Sequence, residues 1–320
     1  MDSKIQDFFK EYHQVALRDS LIRLEERYGV DFSNLTRDVV LELLSETAPL
    51  NRTSRQAMLS VLIRAVNMSS EYDNRSELLN ITVDDILPKG CCRRKFFANA
   101  DALSFYMNLL KTYELNSEDN YYRAFVWLMY CGLIPKTGLL DLKKVNISIK
   151  NKRISINGYS YIIFDQALKH INWLLSTNKI CITTGTYDFS IDDYDKVIRR
   201  IPVQNARSKT VDSVYSSTLL KGVKRKMKDV GISRDMDGAQ FDEESLRLSG
   251  LFYNLWLHEN DSVFAENIIR RYAESEFKTK DMFYLDGKGK RYNNYQREVN
   301  RKIKTIKDAY NIWIQTYHQK

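Results

Sequence analysis

The chain has 320 residues, of which 43% are hydrophobic and 12% aromatic, and its formal net charge is +8. This length and composition exclude global disorder and allow two domains. Only 12 glycines and 4 prolines are present, which argues against a turn-rich all-β fold and predicts a helix-rich one. The positive balance favours a polyanionic partner, with nucleic acid the first candidate and an anionic membrane surface the second.

Cysteine and histidine usage excludes two further classes of protein. The four cysteines form no CxxC pair, and adjacent Cys91 and Cys92 are poorly placed for a structural bridge, which is typical of a reduced cytosolic protein. The four histidines lack metal-ligand spacing, so we expect no metal site and no cofactor. The N-terminus has no signal-peptide pattern, and the apolar stretch 125–134 is too short to span a membrane. We therefore expect a cytoplasmic protein that does not enter a membrane.

Residues 1–90 are predicted to form a helical domain. Apolar periodicity indicates one long amphipathic helix over residues 4–28 and a second over 37–45, and a third begins at Thr53 or Ser54. Two arginines flank the start of the third helix, where the helix dipole and free backbone amides favour a phosphate; a solvated helix start is the alternative. These residues are Arg52 and Arg55.

A basic linker is predicted at residues 91–97, because the eight residues 88–95 contain one proline, one glycine and four cations. Residues 98–320 then form a second domain that opens with helices at about 98–114 and 117–133. The linker cations that could neutralise a polyanion are Arg93, Arg94 and Lys95.

A small antiparallel β-sheet is predicted in the second domain. Residues 145–164 alternate apolar and polar side chains, with breaks at 150–152 and 157–158, which predicts three short strands. A helix follows from Asp165 to about Ser176. We therefore expect a mainly α protein with a small antiparallel sheet, an α+β fold.

Later segments are predicted to be helical and basic. Residues 192–200 are a candidate helix, and 265–273 form another. Residues 214–230 predict a helix ended by Gly231, and one of its faces is cationic. The tail 287–320 is a basic amphipathic helix that either folds back on its own domain or passes to a neighbouring subunit, giving a homo-oligomer. The cations of the helix 214–230 are Lys221, Lys224, Arg225 and Lys228.

The stretch 241–247 opens another helix. An acidic cluster and Ser245 precede the apolar helix Leu248–His258, which is a helix-start signal followed by 3- and 4-residue apolar spacing. Arg247 lies near this start and needs an anionic partner, because burying a cation alone is costly. A phosphate could be that partner, and so could the carboxylate of Glu243 or Glu244.

This stretch resembles the second motif box of the tyrosine recombinases, the phage-integrase family, in which His-x-Leu-Arg begins a buried helix and the Arg holds the scissile phosphate. Phe241 and the pair Leu246-Arg247 match, and Glu244 stands in place of the His. Residues 130–143 resemble the first box, and 220–232 resemble the helix before the second. The resemblance implies a helical core-binding-like domain followed by a catalytic-like domain.

The resemblance also implies an incomplete active site. Strand cleavage needs a Tyr nucleophile, two Arg on the phosphate, a hairpin Lys and His or Trp partners, because protons must move and charge develops on the phosphoryl oxygens. The first Arg position falls on Ile134 or Pro135, and Glu244 would repel a phosphate. The remaining family positions are the hairpin Lys near Tyr159 or Ser160, the Gly-His box at Arg271-Tyr272, the nucleophile at Tyr284, and Lys136, which could rescue the first box.

The resemblance leads us to expect a sequence-specific double-stranded DNA-binding protein with an inactive tyrosine-recombinase fold. It implies a phage or prophage repressor of lysogeny and not an enzyme. A phage-encoded regulatory protein is a further expected partner. One alternative is an active, divergent recombinase with Tyr284 as nucleophile and Arg247 and Lys136 on the phosphate. Another is a protein-interaction scaffold that binds no DNA.

Overall fold

The chain is described by a computed structural model, in which two compact units are separable: Met1–Arg94 with Asp308–Lys320, and Lys95–Lys307. No helix in the described part of the chain is long and apolar enough to cross a lipid bilayer. The structure describes residues 1–69, 75–109, 118–133, 139, 141–182, 185–188, 195–198, 221, 225, 242–277, 283–285 and 291–318.

The first unit is helical, as predicted. Its apolar core includes Phe9, Leu21, Leu44 and Leu62, all of which are fully or almost fully buried. The helices begin and end as follows: α1 Ser3–Glu11, α2 Val15–Tyr28, α3 Arg37–Thr47, α4 Arg52–Met68, α5 Arg75–Leu79 and α6 Lys89–Lys95, with a short 3-10 turn at Phe32–Asn34.

The prediction of one helix over residues 4–28 is wrong, because the chain turns between α1 and α2. His13 has a left-handed backbone with φ of 56°, and the Gln14 amide donates to the Phe9 carbonyl at 2.8 Å. The turn lets Phe9 of α1 and Leu17 of α2 enter the same core. Residues 91–95 of the predicted 91–97 linker belong to α6 and are therefore helical.

The second unit combines helices with the predicted three-stranded sheet, which is confirmed. The strands are antiparallel in the order β1–β2–β3, with Ile154 opposite Tyr161. Asn157 and Gly158, with φ of 53° and 79°, make the two-residue turn between β2 and β3. The elements are α7 Ala100–Leu109, α8 Glu118–Tyr130, β1 Ile147–Ser148, β2 Arg153–Ile156, β3 Tyr159–Ile162 and α9 Asp165–Ser176.

Two further hairpins were not predicted from the sequence: β4 Lys179–Ile182 with β5 Gly185–Asp188, and β6 Phe283–Leu285 with β7 Arg291–Asn293. The candidate helix 192–200 is wrong in its described part, since 195–198 is not helical and Lys196 bridges to Lys143. Most of the helix 214–230, including Lys224, Lys228 and the Gly231 end, lies outside the described residues. Lys221 and Arg225 are helical and exposed.

The last helices complete both units: α10 Glu243–Leu257, α11 Ser262–Phe277 and α12 Tyr295–Tyr317. Residues from Asp308 onward group with the first unit, whereas the sequence assigned 287–320 to the second domain. Trp313 is fully buried in that segment. The predicted tail helix over 287–320 is wrong at residues 291–293, which form β7. Whether the tail folds back or passes to a neighbouring subunit to give a homo-oligomer stays a prediction.

The position of α10 depends on a close approach to α8. A Cβ added to Gly250 would lie 1.7 Å from the carbonyl oxygen of Tyr130. Only a glycine fits there, because no side-chain atom can approach backbone so closely. This contact seats the helix that carries Arg247 against the buried helix α8.

Candidate functional site

Helix α10 starts as the sequence predicts. The Asp242 carboxylate accepts hydrogen bonds from the backbone amide of Ser245 at 2.9 Å and from its hydroxyl at 2.8 Å. This cap satisfies donors that the first helical turn leaves free. Arg247 follows one turn later and is only 3% exposed. The cap and the apolar residues behind it therefore place a cation inside the second unit.

The Arg247 guanidinium is compensated by the protein itself. Its Nη1 lies 3.5 Å from Glu243 Oε1 and 3.5 Å from Glu276 Oε1. Its Nε donates to the Gly132 carbonyl at 3.4 Å, and its carbon lies 4.5 Å from the centroid of the Tyr272 ring. A buried cation flanked by two carboxylates and an aromatic face has its charge balanced without a ligand.

Glu244 does not pair with Arg247 and instead contacts two lysines. Lys302 Nζ lies 2.9 Å from Glu244, and Lys95 Nζ lies 3.6 Å from it. Burial raises the pKa of Glu244, but the hydrogen bonds and charges of these lysines outweigh it and leave the pKa below its ordinary value. The idea that Glu244 occupies the guanidinium is therefore wrong. Glu243, four residues before Arg247 on the same helix face, takes that place.

Lys302 joins the two groups of charges, since its Nζ also lies 2.9 Å from Glu276. We call the set Arg247, Lys302, Lys95, Glu243, Glu244 and Glu276 the Arg247 cluster. It holds three cations and three carboxylates, so its formal charge is zero. A phosphate at Arg247 would have to displace carboxylates, which costs more than filling an open cationic site.

The other family positions are only partly described. Tyr284 lies in β6 opposite Tyr292 of β7. Tyr159 and Ser160 lie in β3, and Arg271 and Tyr272 lie in α11, and these four line one cavity. The first-box positions Ile134, Pro135 and Lys136, like Phe241, lie outside the described residues.

Sequence reasoning missed Glu276, Lys302 and the packing of Tyr272 on Arg247. Tyr272 and Glu276 are four residues apart on α11, and this spacing puts both on one helix face. That signal was available, but nothing in it specifies Arg247 as the partner. Lys302 is 58 residues from Glu244, and no local pattern connects them.

The two arginines at the start of α4 have different partners. Arg52 forms a bidentate pair with Asp84 on the surface. Arg55 is 8% exposed and donates to the carbonyls of Pro49 and Leu50, at 3.2 and 2.5 Å. Burial, followed by the charge of Arg52, lowers the pKa of Arg55. Their predicted contact with phosphate stays a prediction.

The cations predicted in the linker also have partners. Arg93 pairs with Glu46, and Arg94 donates to the Glu46 carbonyl at 2.9 Å. Lys95 belongs to the Arg247 cluster and lies over the Phe96 ring. Exposed ion pairs of this kind contribute little stabilising free energy, so another anion can replace the carboxylate.

Among the described residues, no group of three or more His, Cys, Asp or Glu could hold a metal ion. A comparison of the chain with known protein families finds no family that matches. A comparison with curated proteins likewise finds no match.

Proposed function

We propose that the chain binds double-stranded DNA sequence-specifically and has a tyrosine-recombinase-like fold without strand-cleaving activity. Its role would be that of an integrase-like repressor of phage or prophage lysogeny. One observation carries the proposal. In the helix that resembles the second motif box, Arg247 is retained but buried, and Glu243 and Glu276 hold its guanidinium. The arginine of the family's phosphate site is present, but the carboxylates of Glu243 and Glu276 balance its positive charge.

The order of elements supports the fold part of this proposal. A helical unit precedes α7 and α8, the three-stranded sheet follows, and α10 carries the box residues. This order resembles the core-binding and catalytic domains of the family. The carbonyl of Gly132, near the start of the first-box stretch, accepts a hydrogen bond from Arg247, so the two resembling stretches meet in one unit.

The charge distribution supports DNA binding. The Arg247 cluster is neutral, so the net charge of +8 resides elsewhere in the chain. Lys221 and Arg225 are exposed, helical and four residues apart, which places them on one face of the helix. Cations on such a face neutralise phosphates and release counterions, which gives affinity with a steep salt dependence.

Crosslinking of the protein to DNA across a host genome, followed by anisotropy titrations on the recovered fragments, tests this function. We expect tight binding to a few fragments and a fall in affinity as salt rises. The double variant Lys221→Glu, Arg225→Glu should weaken binding by at least about tenfold and flatten the salt dependence. Lys150→Glu, an exposed cation in the β1–β2 turn, is the matched control.

Two results would overturn the proposal. Absence of binding to every fragment would favour a protein-interaction scaffold. A covalent protein–DNA adduct on supercoiled DNA that disappears in Tyr284→Phe would identify an active recombinase, because a tyrosine nucleophile leaves such an adduct.

A further inference from the structure

Strand β3 has one edge that pairs with β2 and one edge that is open. It is the last strand in the order β1–β2–β3, and in the described part of the chain no further strand pairs with it. The other end of the sheet is β1, which has only two residues, whereas β3 has four. The longer open edge of this sheet therefore belongs to β3.

The register of the hairpin shows which backbone groups reach the open edge. The Ile163 amide donates to the Lys152 carbonyl at 2.8 Å, so residue 163 bonds toward β2. In an antiparallel pair, residues that bond to the neighbouring strand alternate with residues whose amides and carbonyls point away from it. Tyr161 therefore also bonds toward β2, whereas the backbone groups of Ser160 and Ile162 point to the open edge.

This edge lacks the features that keep other strands away. Proteins block open edges with charged side chains, proline or bulges. The four residues of β3 are Tyr-Ser-Tyr-Ile, and each is paired with one residue of β2, so no bulge interrupts the strand. Alternating amides and carbonyls at strand spacing match the hydrogen-bonding groups of another extended chain.

A groove runs along the open edge. It contacts all four residues of β3. Because successive side chains of a strand point to opposite faces, a groove that contacts all four lies beside the edge and not on one face. Helix α11 also lines the groove, through residues that recur at 3- and 4-residue spacing on one helix face. These residues are Ile268, Arg271, Tyr272 and Ser275.

We propose that the β3 edge binds an extended segment of a partner protein, which adds to the sheet as a fourth strand beside α11. Backbone hydrogen bonds to Ser160 and Ile162 hold the segment. Every second side chain of the segment points to apolar residues that line the groove, namely Phe164, Leu251 and Ile268. The intervening side chains face solvent and are polar. The proposal does not depend on DNA binding.

The charge of the groove adds a further requirement for the segment. Arg271 is exposed and lines the groove, and among the described lining residues none is acidic. Complementary charge across an interface favours the matching partner over others. We therefore expect an acidic residue in the bound segment, next to its alternating apolar and polar residues.

Selection of a random peptide library, displayed on phage, against the full chain tests the proposal. We expect enriched peptides in which apolar and polar residues alternate and which contain an acidic residue. Fluorescence anisotropy of labelled synthetic copies then measures their affinity. N-methylation of one peptide amide at a time should weaken binding about tenfold at alternate positions, because only alternate amides face β3, and should leave it unchanged between them.

Two variants of Ser160 test the same hydrogen bonds from the side of the protein. Ser160→Pro removes an amide that the pairing with β2 does not use, and edge strands tolerate proline at such positions. It should weaken peptide binding by about tenfold or more, because a peptide carbonyl loses its donor. Ser160→Ala keeps the amide and should leave binding unchanged. Circular dichroism confirms that both variants are folded.

Two neighbouring arginines of α11 give a matched pair for the charge. Arg271→Gln should weaken binding of the acidic peptides several-fold, and the difference should shrink as salt rises. Arg270 is also exposed but does not line the groove, so Arg270→Gln should leave binding unchanged. Equal effects of the two substitutions overturn the acidic character of the segment.

Alternation in the methylation series together with weaker binding to Ser160→Pro supports the proposal. If Ser160→Pro does not fold, the methylation series decides alone. The proposal is overturned if no peptide is enriched, if methylation has no alternating effect, or if folded Ser160→Pro binds as Ser160→Ala does. Dimers of the chain that Ser160→Pro abolishes, measured by light scattering, would identify a second copy at this edge and overturn the assignment to a partner protein.

Discussion

Two buried arginines, one in each unit, show how differently a protein can hold the same cation. Arg247 is 3% exposed and faces two carboxylates and an aromatic ring. Arg55 is 8% exposed and faces two backbone carbonyls. Within the described part of the chain, one nitrogen of each guanidinium, Arg55 Nε and Arg247 Nη2, has no hydrogen-bond partner. The sequence predicted a phosphate contact for Arg55, and for Arg247 it left open a phosphate or the carboxylate of Glu243 or Glu244.

The difference teaches that burial alone does not decide whether an arginine can still receive a phosphate. Carbonyl oxygens carry partial charges, so Arg55 keeps most of its net charge, and the lowered pKa shows the cost of burying it. Full carboxylates cancel the charge of Arg247. The Asp308 and Asp84 carboxylates also act on Arg55, but its hydrogen bonds go to carbonyl oxygens. We therefore expect Arg55 to attract an anion more strongly than Arg247 does.

Arg247→Ala should have the largest effect on stability. It removes the cation that lies between Glu243 and Glu276, so we expect a loss of about 3 kcal/mol in the free energy of unfolding. Urea unfolding followed by tryptophan fluorescence measures it. Arg247→Met, which keeps most of the volume, controls for packing. Unchanged melting with lost DNA binding would mean that Arg247 contacts phosphate after all.

Gly250→Ala should have the next largest effect, a loss of about 2 to 3 kcal/mol in the free energy of unfolding. The new Cβ would overlap the Tyr130 carbonyl and push α10 away from α8. The same unfolding measurement applies. Ser262→Ala, at the exposed start of α11, is a mild control. If Gly250→Ala unfolds like the unaltered chain, α10 is not seated as described, and the comparison of the two arginines loses its basis.

Arg55→Met should cost about 1.5 to 2 kcal/mol, because the carbonyls of Pro49 and Leu50 lose a charged donor while the alkyl packing is kept. Titration with inorganic phosphate at constant ionic strength sharpens the contrast. We expect phosphate to raise the melting temperature of the unaltered chain and of Arg247→Met, but not that of Arg55→Met. Equal stabilisation of all three proteins would show that Arg55 receives no anion.

Glu244→Gln should have the smallest effect, under about 1 kcal/mol, because Glu244 is 47% exposed at its side chain and solvent screens its pairs. Its pKa is lower in the folded state, so its contribution is present above the ordinary value of 4.5 and is lost as the pH falls through the folded pKa. Urea midpoints for both proteins should converge below about pH 4.5. A constant difference across the pH range would contradict the pairing with Lys302.

Local signals in the sequence predicted local structure well. Asn157-Gly158 specifies a two-residue hairpin, and Asp242 with Ser245 specifies the start of α10. The sequence also named Glu243, four residues before Arg247, as one of the possible partners of Arg247, and the structure selects it. The break at His13 could not, because neither glycine nor proline marks it and only the shared core of Phe9 and Leu17 requires it.

Long-range partners could not be predicted from a single sequence. Glu276 reaches Arg247 from another helix, and Lys302 reaches Glu276 and Glu244 from a third. The apolar stripe of the tail predicted a buried face, but the pattern does not tell which residues bury Trp313. The candidate site consists mostly of such contacts, so the sequence identified Arg247 and its local partner Glu243 but not the partners from other helices.

The contact between Gly250 and Tyr130 has an evolutionary consequence. Every other amino acid carries a Cβ, so each missense change of that codon meets the same carbonyl oxygen at 1.7 Å. Gly29 and Gly158 have left-handed backbones with open space around them, and asparagine can replace glycine there. Diverged relatives should therefore vary at positions 29 and 158 while keeping glycine at 250. A glycine one helical turn after the arginine of the second box would help to identify such relatives when the overall sequence similarity is too low.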